Sequence, residues 1–452
     1  MTDAQASPAA MSTAHTEPTE QAAHTAHDDR ARRFDVAIVG AGPVGTALAL
    51  LLAQRAPQLR IALVDARGAQ AGYDDPRTLA LSHGSREILA RAGAWPHHGA
   101  GLASTPIQHI HVSQARRFGS TEIDYLDHGV PALGYVVRYG ALMRALDAAM
   151  LGVPTRVAHA PSTSAAPDGR EAREAREAAD ALDRPGLHHF RPYRAIALRQ
   201  DAQGVTITLG TTVDDHVQTL HAALAVNAEG GLFERQTARP HARDYGQTAL
   251  VGFVTCELPR IGWAWERFTP DGPLALLPQE NGYALVWCCS HAEANRRREL
   301  DDASFLSELH TAFGDRMGRF TSIAGRAGFP LGLNALGQVV DGRVAAIGNA
   351  AQTLHPVAGQ GLNLGLRDAF DLADALVRDS RGVPGPAALA AFARRRRADR
   401  GLTIRITDLL PRVFGIDAAP VALLRSVALA SLDLVPPLKT AFARQMMFGQ
   451  RG

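Results

Sequence analysis

A glycine-rich turn after a short apolar run constrains the fold of this chain more than any other feature. Phe34–Val39 predicts a buried strand, Gly40–Gly45 reads Gly-Ala-Gly-Pro-Val-Gly, and the apolar stretch beyond it predicts a helix. A second strand, Arg60–Val64, ends at Asp65, twenty residues after the last glycine, where a carboxylate can accept hydrogen bonds from a ribose. The pattern indicates a Rossmann-type unit with a dinucleotide site that comprises Gly40, Gly42, Pro43, Gly45 and Asp65.

A second glycine-rich segment lies about three hundred residues further along the chain. The apolar run Val344–Ile347 predicts a strand that ends at Gly348, and the letters HPVAGQGLN precede apolar residues at helical spacing. Glycines let backbone N–H groups approach a ligand, and a helix N-terminus adds unpaired donors and a positive dipole end. Such a loop suits a pyrophosphate or the negatively charged edge of a reduced flavin. Taken alone, it is more often an ordinary turn ahead of a helix.

The two glycine-rich segments together indicate a protein family far more specifically than either one alone. Together they resemble the FAD-dependent aromatic-ring hydroxylases of the p-hydroxybenzoate hydroxylase type. The form GNAAQTLHPVAGQG resembles the ubiquinone-biosynthesis hydroxylases of that family, most closely those that act on 2-polyprenyl-6-methoxyphenol. The resemblance covers about Phe34 to the C-terminus apart from one insert. It implies an α/β fold in which a Rossmann-like, discontinuous FAD-binding domain is interleaved with a mixed-sheet substrate domain, followed by C-terminal helices.

The element pattern and the resemblance together divide the chain into alternating segments. We expect a disordered tail at 1–33, FAD-binding segments at 34–104, 134–236 and 337–385, substrate-domain segments at 105–133 and 237–336, and a helical region at 386–452. A low-complexity insert at about 157–189 interrupts the second FAD-binding segment, and its Arg–Glu pairs predict a short solvated helix.

The resemblance also implies which residues contact the cofactor. Arg77 is expected beside the flavin, and Arg138 is expected to reach the FAD. Glu229 stands where the family usually has the shorter Asp, and Asn349 stands where most ring hydroxylases have Asp, although Asn is typical of the ubiquinone subgroup. The expected residues of the flavin loop itself are Pro356, Gly359, Gly361, Leu362 and Asn363.

Three residues of this loop carry further expectations. Gly361 is expected to adopt a positive φ close to the ring. Asn363 is expected to offer a side-chain donor to the flavin edge while contributing little to packing. His355 has no evident acid partner, so a structural role in the loop is favoured over a catalytic one.

No Ser/His/Asp nucleophile pattern and no metal-ligand spacing stands out, so the flavin is expected to carry the chemistry. The resemblance implies that NAD(P)H reduces the flavin in a transient visit, that O2 then gives a C4a-hydroperoxide, and that OH is transferred to a prenylated phenol. Two alternatives stay open. The reaction could concern another ring carbon or another phenol, or the chain could be a flavin-binding scaffold of a quinone-biosynthesis complex. The intact HPVAGQG segment favours an enzyme over a scaffold.

Composition bears on partners and compartment. A net charge of +2 gives no case for nucleic acid, and Cys256, Cys288 and Cys289 lack disulfide or metal spacing, which favours a reduced, cytoplasmic setting. The run Arg394–Arg397 is expected to be a solvated helix face. Charged residues interrupt the apolar C-terminal stretches, so no transmembrane segment is expected there. Packing of these helices on the body is favoured, while peripheral contact with the inner membrane or with other quinone-biosynthesis proteins stays open. The oligomeric state is not predicted.

Overall fold

The computed structural model describes residues 33–95, 102–115, 117, 119–158, 184–211, 217–230, 239–355, 359–379, 382–415, 427, 431 and 435–449. Most of the expected tail and insert, and Pro356 in the flavin loop, lie outside these residues. The helices are α1 (Pro43–Arg55), α2 (His83–Arg91), α3 (Tyr139–Leu151), α4 (His291–Glu299), α5 (Asp302–Phe313), α6 (Gln360–Asp379), α7 (Pro386–Gly415) and α8 (Pro436–Phe448).

The strands fall into three sheets. They are β1 (Arg33–Val39), β2 (Arg60–Val64), β3 (Thr78–Ser82), β4 (Ser104–Ile107), β5 (His109–Gln114), β6 (Ser120–Asp124), β7 (Gly134–Arg138), β8 (Thr155–Ala158), β9 (Gly186–Phe190), β10 (Tyr193–Gln200), β11 (Val205–Thr211), β12 (Val217–Asn227), β13 (His241–Cys256), β14 (Trp263–Thr269), β15 (Gly272–Gln279), β16 (Gly282–Ser290), β17 (Phe320–Ala335), β18 (Val340–Asp341), β19 (Val344–Ala346) and β20 (Gln352–Thr353).

A nine-stranded sheet carries both glycine-rich segments. Its order is β10-β11-β12-β1-β2-β9-β8, and β19 pairs with β12 and with β18. The central strand β1 runs parallel to β2 and β12, and Val36, Ala37 and Ile38 in it are fully buried. Parallel strands covered on both faces read as continuous apolar runs, which is why the sequence identifies them. The helix α1 packs on this sheet and on α6, which confirms the Rossmann-like unit.

An eight-stranded sheet forms the second unit, in the order β20-β17-β13-β16-β15-β14-β5-β6. Its pairs are antiparallel except β14 with β5. One face packs on α4 and α5 through an aromatic-rich core that includes Trp265, Trp287 and Phe305. Its strands come from three separate stretches of chain, between which lie strands of the other sheet. The interleaved, discontinuous architecture is therefore confirmed, while the exact domain boundaries stay a prediction.

Several local features differ from the sequence analysis or were not anticipated by it. Thr78–Ser82 forms β3, and α2 follows it because the Ser82 hydroxyl accepts a hydrogen bond from the Ser85 N–H at 3.3 Å. The start of the first substrate-domain segment is divided between two sheets, because β4 pairs with β7 whereas β5 pairs with β14. Residues 186–189, assigned to the insert, lie in β9 beside β2, and Arg33, assigned to the tail, opens β1.

The arginine run Arg394–Arg397 also differs from expectation. Arg396 is only 2 % exposed, because α7 packs on α6 and turns this side chain toward carboxylates of both helices. Its guanidinium lies 2.7 Å from Asp368 and 3.1 Å from Asp371, and it also bonds Asp399. The run is thus a solvated face only in part. Within the described ranges, no helix is both long enough and apolar enough to cross a membrane.

Candidate active site

A cavity of about 1410 Å³ is lined by residues of all three sheets and of α6 and α8. It exceeds the roughly 300–1,000 Å³ of ordinary ligand pockets. Eleven of the predicted site residues line it, namely Gly40, Gly42, Pro43, Asp65, Arg77, Glu229, Asn349, Gly359, Gly361, Leu362 and Asn363. Gly45 lies behind the first turn, and Arg138 lies elsewhere. The fold therefore brings both glycine-rich segments to one space.

The first glycine turn is built by close backbone contacts. Gly40 has a φ of +104°, and a Cβ there would stand 2.7 Å from the Ala228 carbonyl group. A Cβ on Gly45 would stand 1.9 Å from the Gly40 carbonyl oxygen, so the helix α1 can approach the strand only without a side chain. Gly42 lines the cavity, and a Cβ on it would meet open space. The N-terminus of α1 therefore faces the cavity through bare backbone.

Asp65 anchors this turn as well as lining the cavity. Its carboxylate accepts hydrogen bonds from the Ala41 N–H at 3.0 Å and from the Arg67 N–H at 2.8 Å, and it pairs with the Arg67 guanidinium at 2.9 Å. Burial opposes its ionisation, but the hydrogen bonds from Arg67 outweigh burial and lower the pKa of the carboxyl. Arg67 also lines the cavity and was not predicted; its position two residues after the strand-end Asp was the available signal.

The second glycine segment touches the first through Val44. A Cβ on Gly348, whose φ is +59°, would lie 3.2 Å from Val44, and one on Gly365 would lie 2.7 Å from it. The Gly348 N–H donates to the Asp368 carboxylate at 3.2 Å. The expectation for Gly361 was wrong, because the positive φ belongs to Gly359 at +59°. Gly361 lies in the first turn of α6 with open space at its Cβ position.

Asn363 plays a different part from the one expected. Its side-chain oxygen accepts from the Ser82 N–H at 2.9 Å, and its amide nitrogen donates to the carbonyls of Ala80 at 3.0 Å and Gly359 at 2.7 Å. These two bonds use both N–H groups of the amide. The residue is 2 % exposed, so it joins α6 to β3 rather than offering a free donor to a ligand.

Asn363→Ala is therefore expected to destabilise the fold, contrary to the small packing effect expected from sequence. The buried Ser82 N–H and the part-buried carbonyls of Ala80 and Gly359 would lose a partner, and one unsatisfied buried group costs about 1–3 kcal/mol. We expect a loss of about 3 kcal/mol in urea unfolding, together with weaker FAD binding. Asn295→Ala, on the exposed face of α4, is the matched control. Equal stability of the two variants would contradict this role for Asn363.

The two predicted arginines separate in the structure. Arg77 lines the cavity, pairs with Asp75 at 2.7 Å, and lies 4.7 Å over the Tyr139 ring, as cation–π contacts do. Arg138 is not among the described lining residues. Its guanidinium pairs with Glu280 at 2.8 Å, and both side chains are more than half exposed. The structure thus places Arg77, but not Arg138, in the described cavity lining, and contact of Arg138 with the FAD stays a prediction.

His355 is buried outside the cavity lining. It packs edge-on against Tyr245 at 5.2 Å, and Nε2 lies 3.4 Å from the Gln247 side-chain oxygen. Burial lowers the pKa of the imidazole to about 4, so it is neutral at physiological pH. These contacts favour the structural role over the catalytic one.

The other end of the cavity is apolar. Its walls come from the face of the eight-stranded sheet opposite α4 and α5, and from α8. The side chains there include Ile110, Val112, Phe268, Leu277, Val286, Phe442 and Met446. The Thr78 hydroxyl donates to Gln279 at 2.9 Å and so joins β3 to this sheet. The space runs from the two glycine segments to a surface suited to an apolar ligand.

Comparisons with known proteins agree with this architecture. The family model described as "FAD binding domain" matches residues 33–403. The chain is 34% identical to "Ubiquinone hydroxylase UbiL" of Rhodospirillum rubrum over 91% of this chain and 89% of that protein. It is 29% identical to the 3-demethoxyubiquinol 3-hydroxylase of Escherichia coli, over 90% and 96% respectively. The crystal structure of p-nitrophenol 4-monooxygenase PnpA from Pseudomonas putida shares the fold, with a TM-score of 0.67 at 14% identity over 93% of this chain and all of that one.

The family match and the hydroxylase relatives together define an FAD-dependent monooxygenase of aromatic rings, an oxidoreductase that uses NAD(P)H and O2 as co-substrates. More narrowly, the chain belongs to the ubiquinone hydroxylases of the FAD binding domain family.

The described residues fit FAD. Gly42 and Gly361 both line the cavity and leave open the space that a Cβ would fill, so a flat or phosphate-bearing group can approach the backbone at both places. The N-terminus of α1 and the first turn of α6 meet this space, and each offers backbone N–H groups to negative charge.

Proposed function

We propose that this protein hydroxylates the ring of a polyprenylated methoxyphenol in ubiquinone biosynthesis. One observation carries the proposal, namely a continuous cavity with both glycine segments at one end and an apolar sheet wall at the other. FAD, when bound, would activate O2 for transfer of one oxygen atom to the ring. The chain itself binds and orients both ligands and excludes water from them.

The cofactor residues are assigned from their places in the cavity. Gly40, Gly42 and Pro43 would hold the pyrophosphate at the N-terminus of α1, and Asp65 would bind a ribose. Arg77 and Asn349 would line the rest of the cofactor, and Glu229 would stand at the same end. The flavin ring would meet the backbone of Gly361 and Leu362, with Gly359 giving the turn its shape. Gly45 would act by keeping α1 close, and Pro356 stays a sequence-based assignment.

The apolar end supports a prenylated substrate. Burial of each CH2 group contributes about 0.8 kcal/mol, so an isoprenoid chain gains affinity from walls such as Leu277, Val286 and Phe442. The names of the two relatives support a ring on the ubiquinone pathway. The E. coli relative is a 3-demethoxyubiquinol 3-hydroxylase, which keeps hydroxylation at another ring carbon as the alternative.

The proposal includes a location. A polyprenylated substrate resides in lipid, and α8 both lines the cavity and exposes Leu438, 52 % accessible, next to Val435, 45 % accessible. Peripheral contact of this helix with the cytoplasmic face of the inner membrane would bring the substrate to the cavity. Contacts with other quinone-biosynthesis proteins belong to the same proposal.

A substrate panel tests the function. The FAD-loaded protein is given NAD(P)H, O2 and either a polyprenylated methoxyphenol, a demethoxyubiquinol or the same phenols without the prenyl chain. We expect the highest kcat/KM with the prenylated methoxyphenol and at least about a tenfold loss without the chain, the equivalent of about two buried CH2 groups. Preference for the demethoxyubiquinol would favour the alternative ring carbon. Absence of turnover with every phenol would favour the flavin-binding scaffold.

A further inference from the structure

Glu266 stands on the apolar wall of the cavity. It lies on β14 directly opposite Val112 of β5 and Ala275 of β15. Residues directly opposite each other on neighbouring strands share one face of a sheet, as do residues two apart on one strand. Ala264 and Phe268 therefore lie on the same face, and all five residues line the cavity. The register thus directs the Glu266 carboxyl toward the space proposed for the substrate ring.

The carboxyl has no protein partner among the residues that the structure describes. Of the cavity-lining carboxylates described, Asp65 and Glu229 lie at the nucleotide end, so Glu266 is the acid of the sheet wall. An apolar surrounding without a hydrogen-bond donor is costly for a carboxylate. A ligand that brings its own O–H group would satisfy it.

Burial in the cavity, and not a neighbouring charge, determines the pKa of the Glu266 carboxyl. The titratable group that faces Glu266 from the described strands is the Cys288 thiol on β16. Burial raises the pKa of this thiol, and the nearby Glu266 carboxylate raises it further. His111 is adjacent to Val112 on β5, and Arg267 is adjacent to Glu266 on β14. Adjacent residues of a strand point to opposite faces, so both side chains lie on the other face of the sheet. Burial raises the pKa of the Glu266 carboxyl to about 7.

We propose that Glu266 is the catalytic base that binds the phenol hydroxyl and receives its proton during ring hydroxylation. The assignment rests on the proposed function. A ring carbon would use an electron pair of the ring to form a bond to one oxygen atom of the oxidant derived from O2 and NAD(P)H. The O–O bond of that oxidant would break, and the other oxygen atom would leave with the bonding pair and end as water. As the C–O bond forms, the phenol O–H bond breaks. The electron pair of that bond forms the C=O of a cyclohexadienone, and the proton goes to the Glu266 carboxylate. Loss of the proton on the hydroxylated carbon and reprotonation of the carbonyl oxygen then restore the aromatic ring.

This role suits the surroundings of the group. A base works best when its pKa lies near the operating pH, and a positioned general base contributes about 10²–10⁴-fold to rate. Below pH 7 the carboxyl becomes neutral and cannot accept the phenol proton. The rate of product formation should therefore fall as the pH drops through about 7.

Glu266→Gln in the FAD-loaded enzyme tests the assignment. Gln keeps the size and can still accept a hydrogen bond, but it cannot take a proton. We expect FAD content and the Kd of a prenylated phenol within about twofold of wild type, and product formation lower by about 100-fold or more. The decline of rate toward low pH should disappear in this variant. Glu122→Gln, an exposed carboxylate of the same sheet, should keep the wild-type rate and profile.

Further measurements keep the test decisive. In infrared difference spectra of the full-length protein, a protonated carboxyl band that titrates near pH 7 should be absent from Glu266→Gln, and Glu266→Asp should restore the low-pH decline. A wild-type rate, or an unchanged low-pH decline, in Glu266→Gln would overturn the base assignment. If Glu266→Gln does not fold, loss of the low-pH decline in Glu266→Asp would overturn it. If the wild-type enzyme hydroxylates no phenol while the infrared band is present, the proposed function is wrong. The band would then still support a protonated Glu266 carboxyl in the cavity.

Discussion

Gly45→Val is expected to give a colourless protein that no longer holds FAD. Even a single Cβ would stand 1.9 Å from the Gly40 carbonyl oxygen, so the helix α1 must move away from the turn. Its N–H groups would then leave the place assigned to the pyrophosphate. Loss of two hydrogen bonds to a charged group, at about 1.5–3 kcal/mol each, corresponds to an affinity loss of about 100-fold or more.

Flavin absorbance after purification and titration of the apoprotein with FAD measure this effect, and circular dichroism verifies that the variant is folded. Gly68→Val is the matched control, because Gly68 has open space at its Cβ position and does not line the cavity. It should remain yellow, like the wild type, with FAD bound noncovalently. Wild-type FAD affinity in Gly45→Val would mean that this turn does not hold the nucleotide.

Arg396→Met is expected to cost about 3–5 kcal/mol of stability, because removing one partner from a buried ion network leaves uncompensated charge. Asp368, Asp371 and Asp399 are each about 2 % exposed and all bond to this guanidinium. Urea unfolding measures the loss, with Arg397→Met as the matched exposed control from the same run.

The same network holds the chain next to the cavity, because Asp368 also accepts from the Gly348 N–H at 3.2 Å and from the Gln352 amide at 2.8 Å, and the following residues Asn349 and Thr353 line the cavity. We therefore expect Arg396→Met to bind FAD more weakly as well.

Asp399 makes the stability that this network contributes depend on pH. Burial opposes its ionisation, but Arg367 and Arg396 outweigh burial and lower its pKa below the ordinary 3.8. The stability that this carboxylate contributes is present above that ordinary value and is lost as pH falls, so the difference from wild type should shrink in acid. Equal unfolding midpoints for the two variants at neutral pH would contradict the network.

The parts of the fold that the sequence predicts are those encoded locally. The strand Phe34–Val39, the turn after it and α1 follow from apolar runs and glycine spacing within about two dozen residues. The meeting of Gly348 with Val44 is not encoded in this way, and it was accessible only through the resemblance to a known family. Glycine content also indicated a tight loop at 359–361 but not which glycine takes the positive φ.

The remaining site features depend on partners far away in the chain. Asn363 bonds to Ser82 across 281 positions, and Arg138 pairs with Glu280 across 142. A local pattern reports backbone conformation and burial, but it does not report which distant group a polar side chain meets. Glu266 did leave a trace in the sequence, because its parity on β14 matches Ala264 and Phe268, so a charge interrupts an apolar face. The sequence does not show that this face lines a cavity, and the structure was needed to place Glu266 there.

Incorporation of oxygen from O2 into the substrate ring tests the central claim most directly. The FAD-loaded protein is incubated with NAD(P)H, a polyprenylated methoxyphenol and isotopically heavy oxygen gas, and the product is examined by mass spectrometry. An FAD-dependent ring hydroxylase gives a product with one additional hydroxyl group that carries heavy oxygen, formed together with NAD(P)H consumption. Peroxide without a hydroxylated ring, or a new hydroxyl whose oxygen comes from water, would contradict it.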